Sequence, residues 1–144
     1  MTAPLAKRPP DAGFTLVTNA WTSPFWEAAQ QQRLVAPRCA GCGHFRMPPS
    51  PFCPKCHSQA IDWVTLSGRG RLFSYTVVVR AVLPGMEDFL PYVPAVIELP
   101  DADGVRVISN IVDVALDRLR VDADVQVVWD KIGDQITLPR FTLI

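Results

Sequence analysis

The sequence predicts a mainly β protein in three parts: an N-terminal helix, a small ribbon stapled by a metal ion, and a five-stranded barrel. Three observations carry that expectation. Four cysteines fall in two tight pairs, Cys39-Ala-Gly-Cys42 and Cys53-Pro-Lys-Cys56. Valine and isoleucine dominate the second half, where Gly and Pro punctuate the chain at short intervals. One early segment carries the start signals of a helix, and long helical periodicity is absent elsewhere. A length of 144 residues suffices for one modest core.

Residues 1–18 are rich in Pro and Ala, lack periodicity and read as a flexible leader that carries no chemistry. The stretch Met1 to Pro10 holds no apolar run able to act as a signal peptide, and no segment approaches membrane-spanning length. The expectation is a cytoplasmic chain with reduced thiols and no membrane partner. Residues 19–36 form a helix and an edge strand. Within Asn19 to Leu34, Ser23 can cap, Pro24 suits the first helical position, and Glu27 lies near the positive end of the dipole. Trp21, Phe25 and Trp26 crowd its start, where they either cap the core or anchor the helix on another protein. Leu34 to Arg38 then runs as an edge strand, a place where Pro37 is tolerated.

The ribbon occupies 37–60. Each cysteine pair forms a knuckle that turns two sulfurs toward one ion, and two knuckles complete the tetrahedron of a structural zinc, one per chain, held by Cys39, Cys42, Cys53 and Cys56. Iron in the same sulfur cage, a redox role or a disulfide are the alternatives. His44 and His57 flank the knuckles, where an imidazole can stand in for a thiolate, but four cysteines already complete the site and the histidines read as exposed knuckle residues. Such a site is closed, so it is structural and not catalytic. Between the knuckles, His44-Phe-Arg-Met-Pro-Pro-Ser-Pro-Phe52 is a tip stiffened by proline.

Residues 61–144 form the barrel. A strand at Ile61 to Leu66 precedes the Gly68-Arg-Gly70 bend, and five barrel strands follow at 71–79, 93–99, 105–111, 125–129 and 136–138. The second and third pair as a hairpin across Pro100-Asp-Ala-Asp-Gly104, and a helical turn covers Val114 to Leu119. Five strands with a short helix after the third is the order of an OB-fold barrel. The thirteen residues Arg80 to Tyr92 exceed what a hairpin needs, and their apolar side chains are either functional or folded back on the core.

With 14 basic and 14 acidic residues the chain is neutral and has only three lysines, which argues against nonspecific binding to polyanions. Single-stranded nucleic acid, with bases stacked on Phe73 and Tyr75, remains the rival reading of an OB-type barrel. No Ser/His/Asp set can be assembled from two histidines beside the metal site, and no cysteine is left as a nucleophile.

The order of helix, Arg38-Cys-Ala-Gly-Cys-Gly43, Met47-Pro-Pro49, Phe52-Cys-Pro-Lys-Cys56, Gly68-Arg-Gly-Arg-Leu-Phe-Ser-Tyr-Thr76 and Leu138-Pro-Arg-Phe141 resembles a known family from Trp21 onward. It is similar to the acyl-CoA-associated proteins, formerly a domain of unknown function, that join a rubredoxin-like zinc ribbon to an OB fold. Ser109 departs from the glycine common there. The resemblance implies a noncatalytic accessory subunit of a thiolase-like enzyme, one that stabilises its partner and helps form a channel for acyl-CoA thioesters. Partners of such subunits catalyse acyl transfer, condensation or retro-aldol cleavage, including that of steroid side chains. On this reading Arg46, Arg69 and Arg71 are either contacts to coenzyme A phosphates or solvated surface residues, Phe89 and Tyr92 are candidates to touch an acyl chain or the partner, and Trp21, Phe25 and Trp26 are further candidate contacts.

Overall fold

A computed structural model of the chain describes residues 3–10 and 15–144. One helix, α1 (Ser23–Gln30), precedes seven strands: β1 (Val35–Cys39), β2 (Ile61–Thr65), β3 (Arg69–Tyr75), β4 (Val93–Leu99), β5 (Val105–Ile111), β6 (Asp124–Lys131) and β7 (Thr137–Leu143). The helix starts from an Asx turn. Asn19 Oδ1 accepts the backbone N–H groups of Trp21 at 2.9 Å and Thr22 at 3.1 Å, and the hydroxyl of Ser23 donates to Asn19 O. Ser23 is therefore the first helical residue, not the cap. The helix is also shorter than expected: Arg33 N–H returns to Ala28 O, and Gln32 takes the left-handed φ of 57° that ends it. Phe25, Ala28 and Ala29 are buried on its inner side.

β1 and β2 pair antiparallel from Val35↔Thr65 to Cys39↔Ile61, forming a two-stranded sheet of their own. Residues 61–65, placed with the barrel by the sequence reading, thus close the ribbon. The other five strands form a closed barrel in the order β3-β4-β5-β7-β6, with β6 returning to β3 and β5 parallel to β7. β4 and β5 have the expected bounds. β3 starts and ends earlier than expected, while β6 and β7 are longer. A bulge between Leu72 and Ser74 shifts the register of β3, pairing with β4 resumes through Tyr75, and beyond it only the Thr76 N–H to Pro94 O bond and the isolated bridge Val78↔Tyr92 remain. The helical turn after β5 is a 3-10 turn at Leu116–Arg118.

Both glycines of the Gly68-Arg-Gly70 bend are needed. Gly68 has φ of +87°, and a Cβ on Gly70 would lie 2.5 Å from Ile97 Cγ2 and 3.2 Å from the Glu98 carbonyl. The bend lets the chain leave the ribbon and enter the barrel against β4. Leu72, Val93, Ile97, Ile111, Val125 and Phe141 fill the barrel, and the same apolar cluster continues through Leu34, Val35 and Phe45 into the ribbon. Ribbon and barrel share one core.

The leader departs most from its reading as a flexible arm. Leu5 bridges Ala115, Ala6 exchanges backbone hydrogen bonds with Val114 and Asp113, and Ala6 is 1% exposed. Arg8 pairs with Asp113 at 2.6 Å. Beneath this strap sits Arg140, 2% exposed: its guanidinium donates to Asn110 Oδ1 and to Pro9 O, and its Nε lies 2.9 Å from Asp130 Oδ2. Backbone groups meet the barrel here, a contact that composition does not reveal. Residues 11–14 of the leader fall outside the described residues.

Arg140→Ala should cost about 3 kcal/mol in urea unfolding, because it strands the partly buried Asp130 and frees the strap. Gly70→Ala should cost about 1–3 kcal/mol in the same measurement through the clash with Ile97.

Candidate functional site

The two knuckles repeat one backbone plan. In the first, Gly43 N–H donates to Cys39 O and Cys39 N–H to His44 O; in the second, His57 N–H donates to Cys53 O and Cys53 N–H to Ser58 O. The residue after each pair adopts positive φ, +80° at Gly43 and 65° at His57. His57 thus turns the backbone, while the four sulfurs converge without it. All four sulfurs lie within 4.8 Å of one another, with 3.4 Å between the Cys39 and Cys56 sulfurs and 3.6 Å between those of Cys42 and Cys53. A tetrahedron with Zn–S of about 2.3 Å has edges of about 3.8 Å, so the cage fits the ion. A disulfide needs about 2.05 Å, which excludes that alternative.

The electrostatics of the cage call for a cation. Backbone hydrogen bonding from Cys42 leads the effects that lower the Cys39 thiol to about 6. Cys53 is lowered likewise, chiefly by hydrogen bonds from the backbone of Cys56 and then of Lys55. Cys42 keeps a favourable backbone hydrogen bond from His44, yet desolvation and the neighbouring sulfurs push it up to about 12. The amides thus prepare thiolates that repel one another, and a dication resolves the conflict. Zinc bound by four sulfurs keeps no open position, so it supplies folding energy and no Lewis-acid chemistry.

A second feature lies on the far side of the tip. α1, the Met47-Pro48-Pro49 segment, β5 and the start of β7 enclose a groove of about 460 Å³. Phe25 and Trp26, edge to face with centroids 5.1 Å apart, form one wall. Residues 106–110 of β5 form the opposite one, including Ile108, which is 85% exposed. Ser109, the departure noted in the sequence, donates its hydroxyl to Pro139 O at 2.7 Å. Beside the groove, Arg106 lies over the Phe73 ring, 3.7 Å from its centroid, and shares Glu98 with Arg71. Tyr75 turns its hydroxyl to Leu119 O. Arg106 thus occupies one face of the Phe73 ring, which stays 41% exposed, and Arg71 and Arg106 are both engaged by Glu98.

The remaining sequence candidates do not gather at one place. Arg46 is enclosed in the tip, 5% exposed, with Nε donating to Ser50 O and, among the described residues, no partner for its terminal nitrogens. Arg69 and Arg71 are exposed at the start of β3. In the long loop Met86 folds inward, Phe89 and Tyr92 are half-buried, and Val82 and Leu83 stay exposed. Trp21 is half-buried outside the groove, whereas Phe25 and Trp26 line it. Sequence reasoning missed Ile108 and Pro139 at the groove; their signal was a bulky apolar residue and a proline at outward strand positions.

Comparison with known proteins matches both parts. Residues 26–62 match the ChsH2 rubredoxin-like zinc ribbon domain, and residues 63–130 the ChsH2 C-terminal OB-fold domain. A probable enoyl-CoA hydratase alpha subunit of Thermomonospora curvata is 41% identical over 118 residues, 81% of this chain but 36% of that protein. The chain thus spans little more than a third of that relative. A DUF35 domain-containing scaffold protein of Methanothermobacter thermautotrophicus is 32% identical over 107 residues, 74% of this chain and 78% of its own. A solved structure, an Ltp2-ChsH2(DUF35) aldolase, superimposes with a TM-score of 0.81 at 36% identity, covering 90% of this chain and 98% of that one.

Elemental analysis should give one zinc per chain, with no visible absorption from iron. Cys53→Ser should lose about 3 kcal/mol of metal-linked stability, one ligand's share of the roughly 10–16 kcal/mol typical of structural zinc, read as a lower midpoint in denaturant and a lower zinc content.

Proposed function

Since the chain belongs to the DUF35 family, whose members join a ChsH2-type rubredoxin-like zinc ribbon to a C-terminal OB fold, we propose that it is a noncatalytic subunit of a thiolase-like enzyme acting on acyl-CoA thioesters. It stabilises that enzyme and helps form the passage for the thioester. The observation that carries this reading is the match to nearly the whole of a chain in a structure named an Ltp2-ChsH2(DUF35) aldolase. A relative named an enoyl-CoA hydratase alpha subunit supports the acyl-CoA setting.

Physical features agree with a subunit that works by contact. Both histidines flank the knuckles and all four thiols belong to the cage, so the chain offers no thiol nucleophile and no histidine base away from the metal. Its apolar groove is built by the helix, the ribbon tip and the barrel together, which suits recognition of a partner or of a thioester. Steered binding of a nucleic-acid strand has little support, because Arg106 already stacks on one face of Phe73 and the net charge is zero.

Coexpression with a thiolase-like enzyme should yield a complex that survives purification, and the enzyme should lose at least about tenfold of its activity when this chain is omitted. Full activity of the enzyme alone would sink the proposal. Labelled single-stranded DNA at low salt should show no binding; binding that weakens steeply with salt would favour the rival class.

A further inference from the structure

The barrel is hydrogen-bonded all round except along one seam. β5 pairs with β4 over its whole length, from Val93↔Ile111 to Leu99↔Val105, but with β7 only at Ile111↔Phe141. Two observations show which way its main chain faces. Val112 N–H donates to Phe141 O at 2.8 Å, and alternate residues of an extended strand point their backbone groups to the same side, so Asn110, Ile108 and Arg106 also face β7. On the other edge, Pro94 stands opposite Asn110 and gives its carbonyl to Thr76 N–H, away from β5. That pair exchanges no hydrogen bonds, which again turns Asn110 away from β4.

Pro139 explains why the seam stops zipping. In a parallel ladder continuing from Ile111↔Phe141, the next donor from β7 to the Ile108 carbonyl would be the N–H of residue 139, and proline has none. The Pro139 carbonyl, which Asn110 N–H would have used, takes the Ser109 hydroxyl instead. Phe141 N–H still reaches the Asn110 carbonyl in that last bridge, but among the described residues the Asn110 N–H and the main-chain groups of 106 and 108 have no partner on β7, and all five residues 106–110 line the groove, as they do when a strand presents its edge.

We propose that this edge receives an extended, uncharged segment of a protein partner as an added strand, seated over the seam with its side chains against Phe25, Trp26 and Met47. The inference rests on the partner reading above and names the surface. Backbone donors and acceptors repeating every two residues over five residues, about 16 Å, match a peptide. A bare hydrocarbon guest would leave them unmet at a cost. The walls are apolar, and the one charged lining residue, Arg106, is engaged by Glu98 at 3.5 Å and by Phe73, so the groove asks for no charge from its guest.

Ile108→Pro removes an N–H that faces the groove and none that faces β4, so it spares the barrel ladder; Ile108→Ala trims only the side chain. In the zinc-loaded chain, I108P should weaken binding to the thiolase-like enzyme at least about tenfold, I108A no more than about threefold, and amide exchange of Asn110 in the wild type should slow at least about tenfold in the complex. Equal binding of folded I108P, or unchanged Asn110 exchange in the complex, overturns the proposal while leaving the partner reading intact. Slowed exchange with octanoyl-CoA alone also overturns it, by assigning the groove to a thioester. Should I108P not fold, the wild-type exchange result decides. If no complex forms, the partner reading fails on its own, and a displayed library of twelve-residue peptides panned on the chain decides. Uncharged peptides that protect Asn110 support strand addition, and their absence overturns it.

Discussion

Four thiolates gathered around one dication are the constraint on which the N-terminal half of this molecule depends. The ribbon between Cys39 and Cys56 has little apolar interior of its own: besides the charged Arg46, only Phe45, Cys39 and Cys53 are buried in it. Chain entropy for so short a segment cannot be offset by that burial alone. The ion ties two backbone turns into one rigid unit, and the tip between them is held against α1 and β5. The metal acts at a distance, through the position of Met47, Pro48 and Pro49.

That influence reaches further because the ribbon is not a separate body. Leu34, Val35 and Phe45 belong to the same apolar cluster as Leu72, Ile97 and Phe141, so part of the barrel's burial is supplied from the ribbon and helix. The leader adds a tie on the other side through Ala6 and the Arg140 cluster. Helix, ribbon and strap brace a small barrel that would bury a modest fraction of its surface alone.

How much of this could be read from sequence follows from the range of the interactions involved. The cysteine pairs announce the cage because ligand chemistry needs those residue types at that spacing. β4 and β5 were placed to the residue because hydrophobic alternation and the turn residues between them are local signals. β3 reads too far toward its C-terminal end because Thr76 to Val79 are β-formers, whereas past Tyr75 the pairing thins to one hydrogen bond from Thr76 and one isolated bridge at Val78. The leader was misread because its ties are backbone hydrogen bonds and a buried alanine, which leave no periodic trace. The groove leaves no local signal for a related reason: it forms where α1 and the tip meet β5 and β7, strands distant in sequence that run side by side with one ladder pair between them. Phe25 and Trp26 read from sequence as core caps or as anchors, whereas the surface opposite them leaves no local signal.

Pro139 gives the seam its character. A residue with an amide hydrogen there would let β7 bond to β5 for another step, and the barrel would gain an ordinary increment of stability. It would also lose the strand edge exposed in the groove. The imino acid therefore marks a trade between robustness and availability, in which a fold accepts a locally weaker wall to keep main-chain valence in reserve.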